Sequence, residues 1–209
     1  MPPIRNMPRR QPKQRRSIEM YGRILDAAAR VFTQYGYARG TTNRIAEEAE
    51  ISVGSLYQYF PDKEALLAEL LRRHIRAGAD EIEARLAHPD ALTGSLEDRT
   101  RLFVTATVAI HRDDPRLHRV LFEEAPRPPD VVEELRAFEA ATVSAIEAIL
   151  AEDPEVDVKD IRMAAYITMT AIESITHRYA SSHPDDADWE TLIDQLVLLI
   201  VRYLMGVPR

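Results

Sequence analysis

Residues 41–67 read TTNRIAEEAEISVGSLYQYFPDKEALL, and this stretch decides how the chain folds. Its apolar residues form three short runs with helical spacing, and the punctuation between the runs is too brief for strands. A hydroxyl residue that suits an N-cap stands at or just before the start of two short helices, 41–49 and 53–60. Pro61 ends the second helix, because the residue before a proline avoids helical angles. Two helices joined by so short a turn predict a helix-turn-helix.

The second of these helices has an inner and an outer face. Leu56 and Phe60 are four residues apart and anchor the helix to a core. The outward face carries small side chains at its N-terminal end and aromatic and polar side chains further along. This arrangement suits a helix that enters a major groove. Its residues are Val53, Gly54, Ser55, Tyr57, Gln58 and Tyr59.

This pattern resembles that of the TetR-type transcriptional regulators. The resemblance rests on ILDAAARVFTQYGY (24–37), Thr41 and Thr42, Ile45 and Ala46, Ser52 to Phe60, Lys63 and Glu64, and Leu66 and Leu67. It covers about the first third of the chain, and the rest is similar to the family only in its helical layout. The resemblance implies a homodimer with an N-terminal DNA-reading head and a C-terminal helical body that usually hosts a small ligand.

The chain departs from the family at Glu50, where a glycine is usual at the turn. Glycine suits a corner with positive φ because it has no Cβ. If the corner is left-handed here, Glu50 costs about 1 kcal/mol of strain.

The residue types of the outer face predict how it reads DNA. Gly54 and Ser55 permit close approach of the backbone. Val53 and Gln58 are the candidates for base edges, because glutamine pairs in two places with adenine and valine touches a thymine methyl group.

Other residues are expected to contact phosphates and so to position the head. The hydroxyl groups of Tyr57 and Tyr59 suit phosphate oxygens, with packing inside the head as the competing interpretation, and the family resemblance favours DNA contact for Tyr57. Lys63 looks like the family's phosphate-binding lysine. The remaining predicted contacts lie at the start of the first short helix, where N–H groups and a helix dipole favour an anion: Thr41, Thr42 and Arg44. The alternative for Thr41 is that it only caps the helix. The alternative for Arg44 is that it is only a solvated charge.

Composition limits the class of protein. The net charge of −7 divides into 14 Lys/Arg against 8 Asp/Glu over residues 1–76, a net +6, and 13 against 26 thereafter, a net −13. A basic N-terminal part on an acidic remainder orients the chain toward a polyanion. There is no cysteine, and no apolar run approaches the ~20 residues that span a bilayer. We therefore expect a soluble, cytoplasmic protein without membrane contact.

No pattern of an enzyme stands out. The six histidines lack metal-ligand spacing, and there is no nucleophile–base pair or glycine-rich phosphate loop. The sequence therefore predicts a non-enzyme with no cofactor and no metal.

The predicted fold is all-α, with an N-terminal three-helix head and a C-terminal helical body. Residues 1–16 are expected to be a disordered basic arm that follows phosphates or enters a minor groove, or is only a leader. The head spans 17–63 and the body 64–209. The helices after the helix-turn-helix are expected at 63–86, 96–111, 115–124, 130–151, 158–181 and 189–205.

The last two helices predict an interface between two copies of the chain. Helix 189–205 is apolar nearly all round, and its predecessor carries apolar stripes, so neither is covered by one body alone. A four-helix interface about a two-fold axis follows, with burial inside a monomer as the alternative. The interface residues are predicted to be Ile161, Ala165, Ile172, Ile175, Trp189, Leu192, Leu196, Ile200 and Tyr203. The two-fold axis predicts an inverted-repeat site in double-stranded DNA.

Polar and aromatic residues on otherwise apolar body helices predict a pocket for an unknown small-molecule effector. These residues are Phe103, Thr107, His111, His118, Phe122, Phe138, Tyr166, Met169, Thr170, Glu173 and His177. The predicted function is a dimeric repressor that a small molecule releases from a palindromic operator. The alternatives are a DNA-binding regulator without a small effector, and a helical enzyme or carrier.

Overall fold

The computed structural model describes residues 15–86, 93–183 and 185–206, and within these ranges it contains helices and turns but no strand. The N-terminal helices are α1 (Arg15–Arg39), α2 (Thr42–Glu48), α3 (Val53–Tyr59) and α4 (Lys63–Leu86). They are followed by α5 (Leu96–Arg112), α6 (Pro115–Arg119), a π-helical turn (Val120–Glu124), α7 (Pro129–Ala151), α8 (Ile161–Ser182) and α9 (Trp189–Leu204). The predicted all-α fold class is confirmed.

Several element boundaries differ from the prediction. Helix α1 already begins at Arg15, so two residues of the predicted arm are helical, and the rest of that arm lies outside the described residues. Gly36 interrupts α1 with φ 71° and ψ 171°. Helix α8 begins three residues later than predicted, because the side chain of Asp160 caps it by accepting the Met163 N–H at 2.9 Å.

The described helices fold into two compact units. The first, called the head below, comprises the described residues up to His74 and Arg116–Glu133, and the second, called the body, comprises the described residues of Ile75–Pro115 and Glu134–Arg209. The predicted boundary at residue 63/64 does not coincide with this division, because α4 stays in the head to His74 and the chain later returns to the head.

The returning segment is tied into the head by polar contacts. The Tyr37 N–H donates to Oε2 of Glu124 at 3.3 Å, and the Arg72 guanidinium pairs with Asp130 at 2.6 Å. The Arg72–Asp130 pair is largely shielded, so it gains more from its charges than an exposed pair does.

The head is built on an aromatic and aliphatic core contributed by α1 to α4. Phe32 and Phe60 are fully buried, and the ring of Phe60 lies 4.8 Å from that of Tyr21. Gly40, between α1 and α2, has no room for a side chain, because a Cβ there would lie 2.4 Å from Cδ1 of Phe32. These contacts set how α2 and α3 stand on α1.

The body packs α5 against both α8 and α9. Its core is mostly aliphatic and includes Val104 and Val108 of α5, Ala165 and Ile172 of α8, and Leu196 of α9. None of the helices in the described ranges combines the length and the apolar content that crossing a bilayer requires.

Candidate nucleic-acid interface

Helices α2 and α3 are each fixed by a hydroxyl cap and an apolar anchor. The Thr41 Oγ1 accepts the Arg44 N–H at 3.3 Å at the start of α2, and the Ser52 Oγ accepts the Ser55 N–H at 3.0 Å at the start of α3. Leu56 of α3 is fully buried. Capping of this kind is worth about 1 kcal/mol per helix, which matters for helices of only two turns.

The corner between α2 and α3 is left-handed. Glu50 has φ 53°, and the corner is held by the Ile51 N–H, which donates to the Ala46 carbonyl at 2.9 Å. The corner therefore has the positive φ for which the family usually has a glycine. Because Glu50 has a Cβ, it carries backbone strain of about 1 kcal/mol here.

The outer face of α3 has the shape that the sequence predicts. Gly54, Tyr57 and Gln58 are exposed, and Val53 and Ser55 are half-buried. A Cβ added to Gly54 would meet nothing closer than the Ser52 Oγ at 3.8 Å, so the chain itself does not require glycine here. The space in front of Gly54 is open to another molecule.

Tyr57 and Thr42 join α3 to α2 at this surface. Their hydroxyl groups are 3.1 Å apart, and 40% of Tyr57 is exposed. The phenol oxygen thus lies beside the start of α2 and keeps a free lone pair, since a hydroxyl group both donates and accepts.

Arg44 and Tyr59 differ in how they are placed. The Arg44 guanidinium lies 4.1 Å from the centre of the Tyr35 ring, and Arg44 is exposed. Tyr59 is half-buried, and its hydroxyl oxygen accepts a hydrogen bond from Ser17 at 3.5 Å. The packing interpretation of Tyr59 is therefore supported by a contact, whereas Arg44 remains on the surface.

Lys63 is positioned by Tyr37. Its ammonium group donates to the backbone carbonyl oxygen of Tyr37 at 3.0 Å and lies 3.9 Å from the centre of the Tyr37 ring. The Tyr37 hydroxyl donates in turn to the Glu64 carboxylate at 2.8 Å. Burial, and then the hydrogen bond and negative charge of Glu64, raise the pKa of the Tyr37 phenol. Its protonated form therefore persists and continues to donate.

Sequence reasoning missed the roles of Tyr37 and Glu124. Tyr37 directly follows Gly36, the residue that interrupts α1, and an aromatic residue after such a glycine was the available signal. Glu124 gave no signal, because it contacts Tyr37 across 87 residues of sequence.

The body contains a cavity of about 600 Å³, within the size range of small-molecule sites. Its wall is contributed by α4, α5, α7, α8 and α9, and all of its lining residues belong to the body. Phe103 and Phe138 are the two predicted pocket residues that line it. Thr168, Ala106 and Ile146 also line it and were not predicted, because their apolar or small side chains look like ordinary core.

The other predicted pocket residues lie elsewhere. Tyr166, Met169, Thr170 and Glu173 line a separate, more polar groove of about 570 Å³ along α7 and α8. Phe122 belongs to the head, where its ring stacks on that of His118 at 4.4 Å. The structure therefore does not bring the predicted set together in one pocket.

His111, Thr107 and His177 form a third group around α5 and α8. The His111 Nδ1 is 2.7 Å from the Thr107 carbonyl oxygen, and its Nε2 is 3.4 Å from the Glu173 carboxylate. The rings of His111 and His177 are 6.4 Å apart. Burial lowers the pKa of His111, but the hydrogen bond and charge of Glu173 outweigh it and the pKa is raised.

The predicted interface residues are mostly used by the body itself. Four of them are buried core residues: Ala165, Ile172, Leu196 and Ile200. Ile161, Trp189 and Leu192 are half-buried against the same core. The physical reason is that α5 packs against both α8 and α9 and covers this stripe. Ile175 and Tyr203 are exposed.

Helices α8 and α9 nevertheless expose other large apolar side chains. They are Met163, Tyr166, Ile167 and Ile175 on α8, and Leu198, Leu199 and Tyr203 on α9. We call this set the apolar face of the body. So many exposed apolar side chains on two neighbouring helices are typical of a protein–protein contact.

A capped and anchored helix-turn-helix with an open outer face, in a chain whose described part is otherwise helical, is typical of a DNA-binding transcriptional regulator. Comparison with family models agrees. Residues 24–70 match the model described as bacterial regulatory proteins of the tetR family, and residues 95–204 match the model of a tetracycline repressor-like C-terminal domain. The chain belongs to the TetR family of transcriptional regulators.

Individual relatives extend the likeness over nearly the whole chain. The HTH-type transcriptional activator FasR of Mycolicibacterium smegmatis is 26% identical over 91% of this chain and 85% of its own length. The uncharacterized HTH-type transcriptional regulator Rv1255c of Mycobacterium tuberculosis is 30% identical over 86% and 84%. The solved structure of the transcriptional regulator FadR from Bacillus subtilis in complex with stearoyl-CoA has a TM-score of 0.67 at 19% identity, covering 87% and 97%. This last likeness concerns the fold alone.

Proposed function

We propose that the chain is a homodimeric repressor that binds an inverted-repeat operator through α3 and is released from it by a small molecule bound in the body. The observation that carries the proposal is the outer face of α3, which is exposed at Gly54, Tyr57 and Gln58 while Leu56 is fully buried. Because its target is bacterial DNA, we place its action in the cytoplasm.

Within this proposal the contacts of the head divide by chemistry. Gln58 and Val53 read base edges, and Gly54 and Ser55 allow the backbone of α3 to come close. Phosphates are held by the hydroxyl and cationic groups beside α3: Thr41, Thr42, Arg44, Tyr57, Tyr59 and Lys63. Lys63 is supported by its fixed position on Tyr37, since a held ammonium group loses less freedom on binding.

The dimer in this proposal forms through the apolar face of the body rather than through the stripe that α5 covers. Two copies of that face brought together about a two-fold axis bury the same side chains on each protomer. The symmetric pair then presents two α3 helices to successive major grooves, which is why the operator is an inverted repeat.

Release by an effector is supported by the cavity of about 600 Å³ in the body. The structurally similar FadR of Bacillus subtilis was solved with stearoyl-CoA, a molecule with a long apolar part. A ligand lowers operator affinity only if it binds better to a conformation that fits the operator less well. We place that difference in the spacing of the two heads of the dimer.

Fluorescence anisotropy with a palindromic fragment recovered from the source genome tests the DNA site. We expect Lys63→Ala and Tyr57→Ala each to weaken binding by about tenfold or more, since each removes a hydrogen bond or charge at a phosphate. Lys159→Ala is the matched control, because Lys159 is an exposed lysine of the body. Affinity should fall steeply with salt, and the slope should be smaller for Lys63→Ala. Parent-like binding by both variants would overturn the site.

Light scattering tests the dimer with a second matched pair. Leu199→Asp places a charge on the apolar face of the body, where Leu199 is 51% exposed, and should give monomers. Ile18→Asp changes an equally exposed residue of α1, at 55%, and should leave the dimer intact. A dimer that survives Leu199→Asp contradicts the proposed interface.

A further inference from the structure

The chemistry of the body cavity restricts what it holds. Fourteen of its nineteen lining residues are apolar, and only Phe103 and Phe138 among them are aromatic. The charged members are Glu83, which is exposed, and Arg99, whose guanidinium is bound by the Asp153 carboxylate. The interior therefore offers little to an aromatic cation, which needs a buried acid or an aromatic cage.

One hydroxyl group in the wall is unsatisfied. Thr168 is 5% exposed, and its Oγ1 has no hydrogen-bond partner within the part of the chain that the structure describes. Thr142, in the same wall, donates to the Phe138 carbonyl oxygen at 3.0 Å. Thr107, outside it, donates in the same way to the Phe103 carbonyl oxygen at 3.1 Å. A buried hydroxyl without a partner is unfavourable, and a ligand that supplies one gains accordingly.

The alanines of the wall shape the space. Ala79, Ala106, Ala141 and Ala145 come from α4, α5 and α7, and they leave room between the larger aliphatic residues. A flexible aliphatic chain fills such a space with dispersion contacts and without unpaired polar groups.

We propose that the cavity binds an uncharged aliphatic chain that carries a carbonyl or hydroxyl group, and that this group forms a hydrogen bond with Thr168. The proposal deepens the proposed function, and only the identification of this ligand class with the effector rests on that function. Recognition of the chain is apolar, and Thr168 distinguishes ligands with a polar group at the matching depth from plain hydrocarbons.

The test is calorimetric titration of the full-length protein, free of DNA, with methyl decanoate and 1-decanol, and with ethidium as the aromatic cation. We expect the ester and the alcohol to bind saturably, with one site per chain, and ethidium not to bind the cavity. Ethidium binding as tightly as methyl decanoate, or no saturable binding of either aliphatic probe, overturns the proposal.

Two threonine variants isolate the hydrogen bond. Thr168→Val keeps the shape and should weaken methyl decanoate binding about fivefold, the effect of one net hydrogen bond. Thr176→Val is the matched control, because Thr176 lies on the same helix, is fully buried and has an Oγ1 without a partner in the described residues, yet does not line the cavity. Equal affinity of Thr168→Val and the parent sinks the role of Thr168.

Two filling variants locate the site. Ala106→Leu extends a buried wall residue into the cavity, and Ala145→Leu, at an exposed wall position of α7, replaces it if the first variant does not fold. Each folded variant should lose at least about tenfold in affinity for both probes through steric exclusion. Unchanged affinity in a folded variant places the probes elsewhere and contradicts the proposal.

The outcomes separate this inference from the proposed function. If the aliphatic probes fail while the protein still binds its operator, the ligand class is wrong and the DNA-binding proposal stands. If the probes bind as expected but do not change operator affinity, the ligand class stands and release by an effector fails.

Discussion

The head and the body fill their interiors differently. In the head, Phe32 and Phe60 are fully buried, and a single added carbon at Gly40 would lie 2.4 Å from the Phe32 ring. In the body, small side chains such as Ala106 border a cavity of about 600 Å³. The head therefore has no room for another atom at this place, while the body holds open space next to its core.

The difference in packing between the head and the body agrees with the function proposed for each part. A surface that reads DNA must keep its side chains in fixed positions, and close packing in an aromatic core fixes them. A site that admits a ligand needs unfilled volume, which costs stability because the wall loses contacts on one side. Substitutions that add or remove volume should therefore cost more stability in the head than in the body.

The largest effect is expected from Phe60→Ala in the head. Phe60 is fully buried and packs against Tyr21, so its removal should lower the free energy of unfolding by about 3–5 kcal/mol. Phe103→Ala in the body should cost less, about 1–2 kcal/mol, because the half-buried Phe103 faces a cavity and has fewer contacts to lose. Urea unfolding measures both, and equal costs would break the comparison.

The next effect concerns added volume. Gly40→Ala should destabilise the head by about 1–3 kcal/mol, because the new Cβ meets the buried Phe32 ring at 2.4 Å. Gly22→Ala is the control in α1, where nothing lies within 4 Å, and it should be stabilising by about 0.5–1 kcal/mol.

The matching substitution in the body is Ala106→Leu, which adds three carbons where Gly40→Ala adds one. Ala106→Leu should change the free energy of unfolding by less than about 1 kcal/mol, because the larger side chain enters existing space. Thermal and urea unfolding of the three variants give the ranking. A body that tolerates Ala106→Leu no better than the head tolerates Gly40→Ala would show that the cavity closes in solution.

A smaller effect is expected at the hydrogen bond between Tyr37 and Glu64. Tyr37→Phe should cost about 1 kcal/mol and leave DNA affinity within about twofold, since the ring and the carbonyl group that hold Lys63 remain. The raised pKa of Tyr37 sets the pH dependence. Its stabilisation is fully present below the unfolded pKa of 10.0 and is lost as the pH rises through the higher folded value.

Unfolding at a series of pH values checks this sign. The difference between parent and Tyr37→Phe should be constant below about pH 10 and shrink above it. Glu64→Gln still accepts the hydrogen bond without a charge, so it should cost less than Tyr37→Phe. A difference that grows with pH would contradict the assigned bond.

The head could be predicted from sequence because its determinants are local. The caps at Thr41 and Ser52, the anchor at Leu56 and the exposure of Tyr57 all follow from spacing within about twenty residues. The contact of Glu124 with Tyr37 could not be predicted, since it joins residues 87 apart.

The cavity of the body could not be predicted, because five separate helices contribute its wall. Phe103 and Phe138 were recognised as aromatic residues on apolar helices, but Glu173 lines a different groove and Phe122 belongs to the head. Ile172 and Leu196 were assigned to a partner because sequence periodicity shows that a face is apolar and not which helix covers it.

The smallest effect on the free energy of unfolding is expected at Glu50, in the corner between α2 and α3, where a substitution should increase stability. Among the residues that the structure describes, Glu50 alone combines a side chain with a positive φ, 53°. Glu50→Gly should stabilise the head by at most about 0.5 kcal/mol, since relief of the Cβ strain is partly offset by the larger entropy that glycine loses on folding. The stability of Glu50→Asn should lie between those of the parent and Glu50→Gly. Glu50→Val should be the least stable of the set, because valine is β-branched.

Glu50→Gln separates strain from charge at this corner. It keeps the Cβ and removes the carboxylate, so it should unfold like the parent in urea, although it binds DNA somewhat more tightly through reduced repulsion. Glu50→Gly should share that gain in affinity and add stability. If glutamine stabilises the head as much as glycine does, charge rather than backbone strain explains the effect. The head would then match the body in carrying no strained residue among those described, and close packing alone would distinguish the two parts.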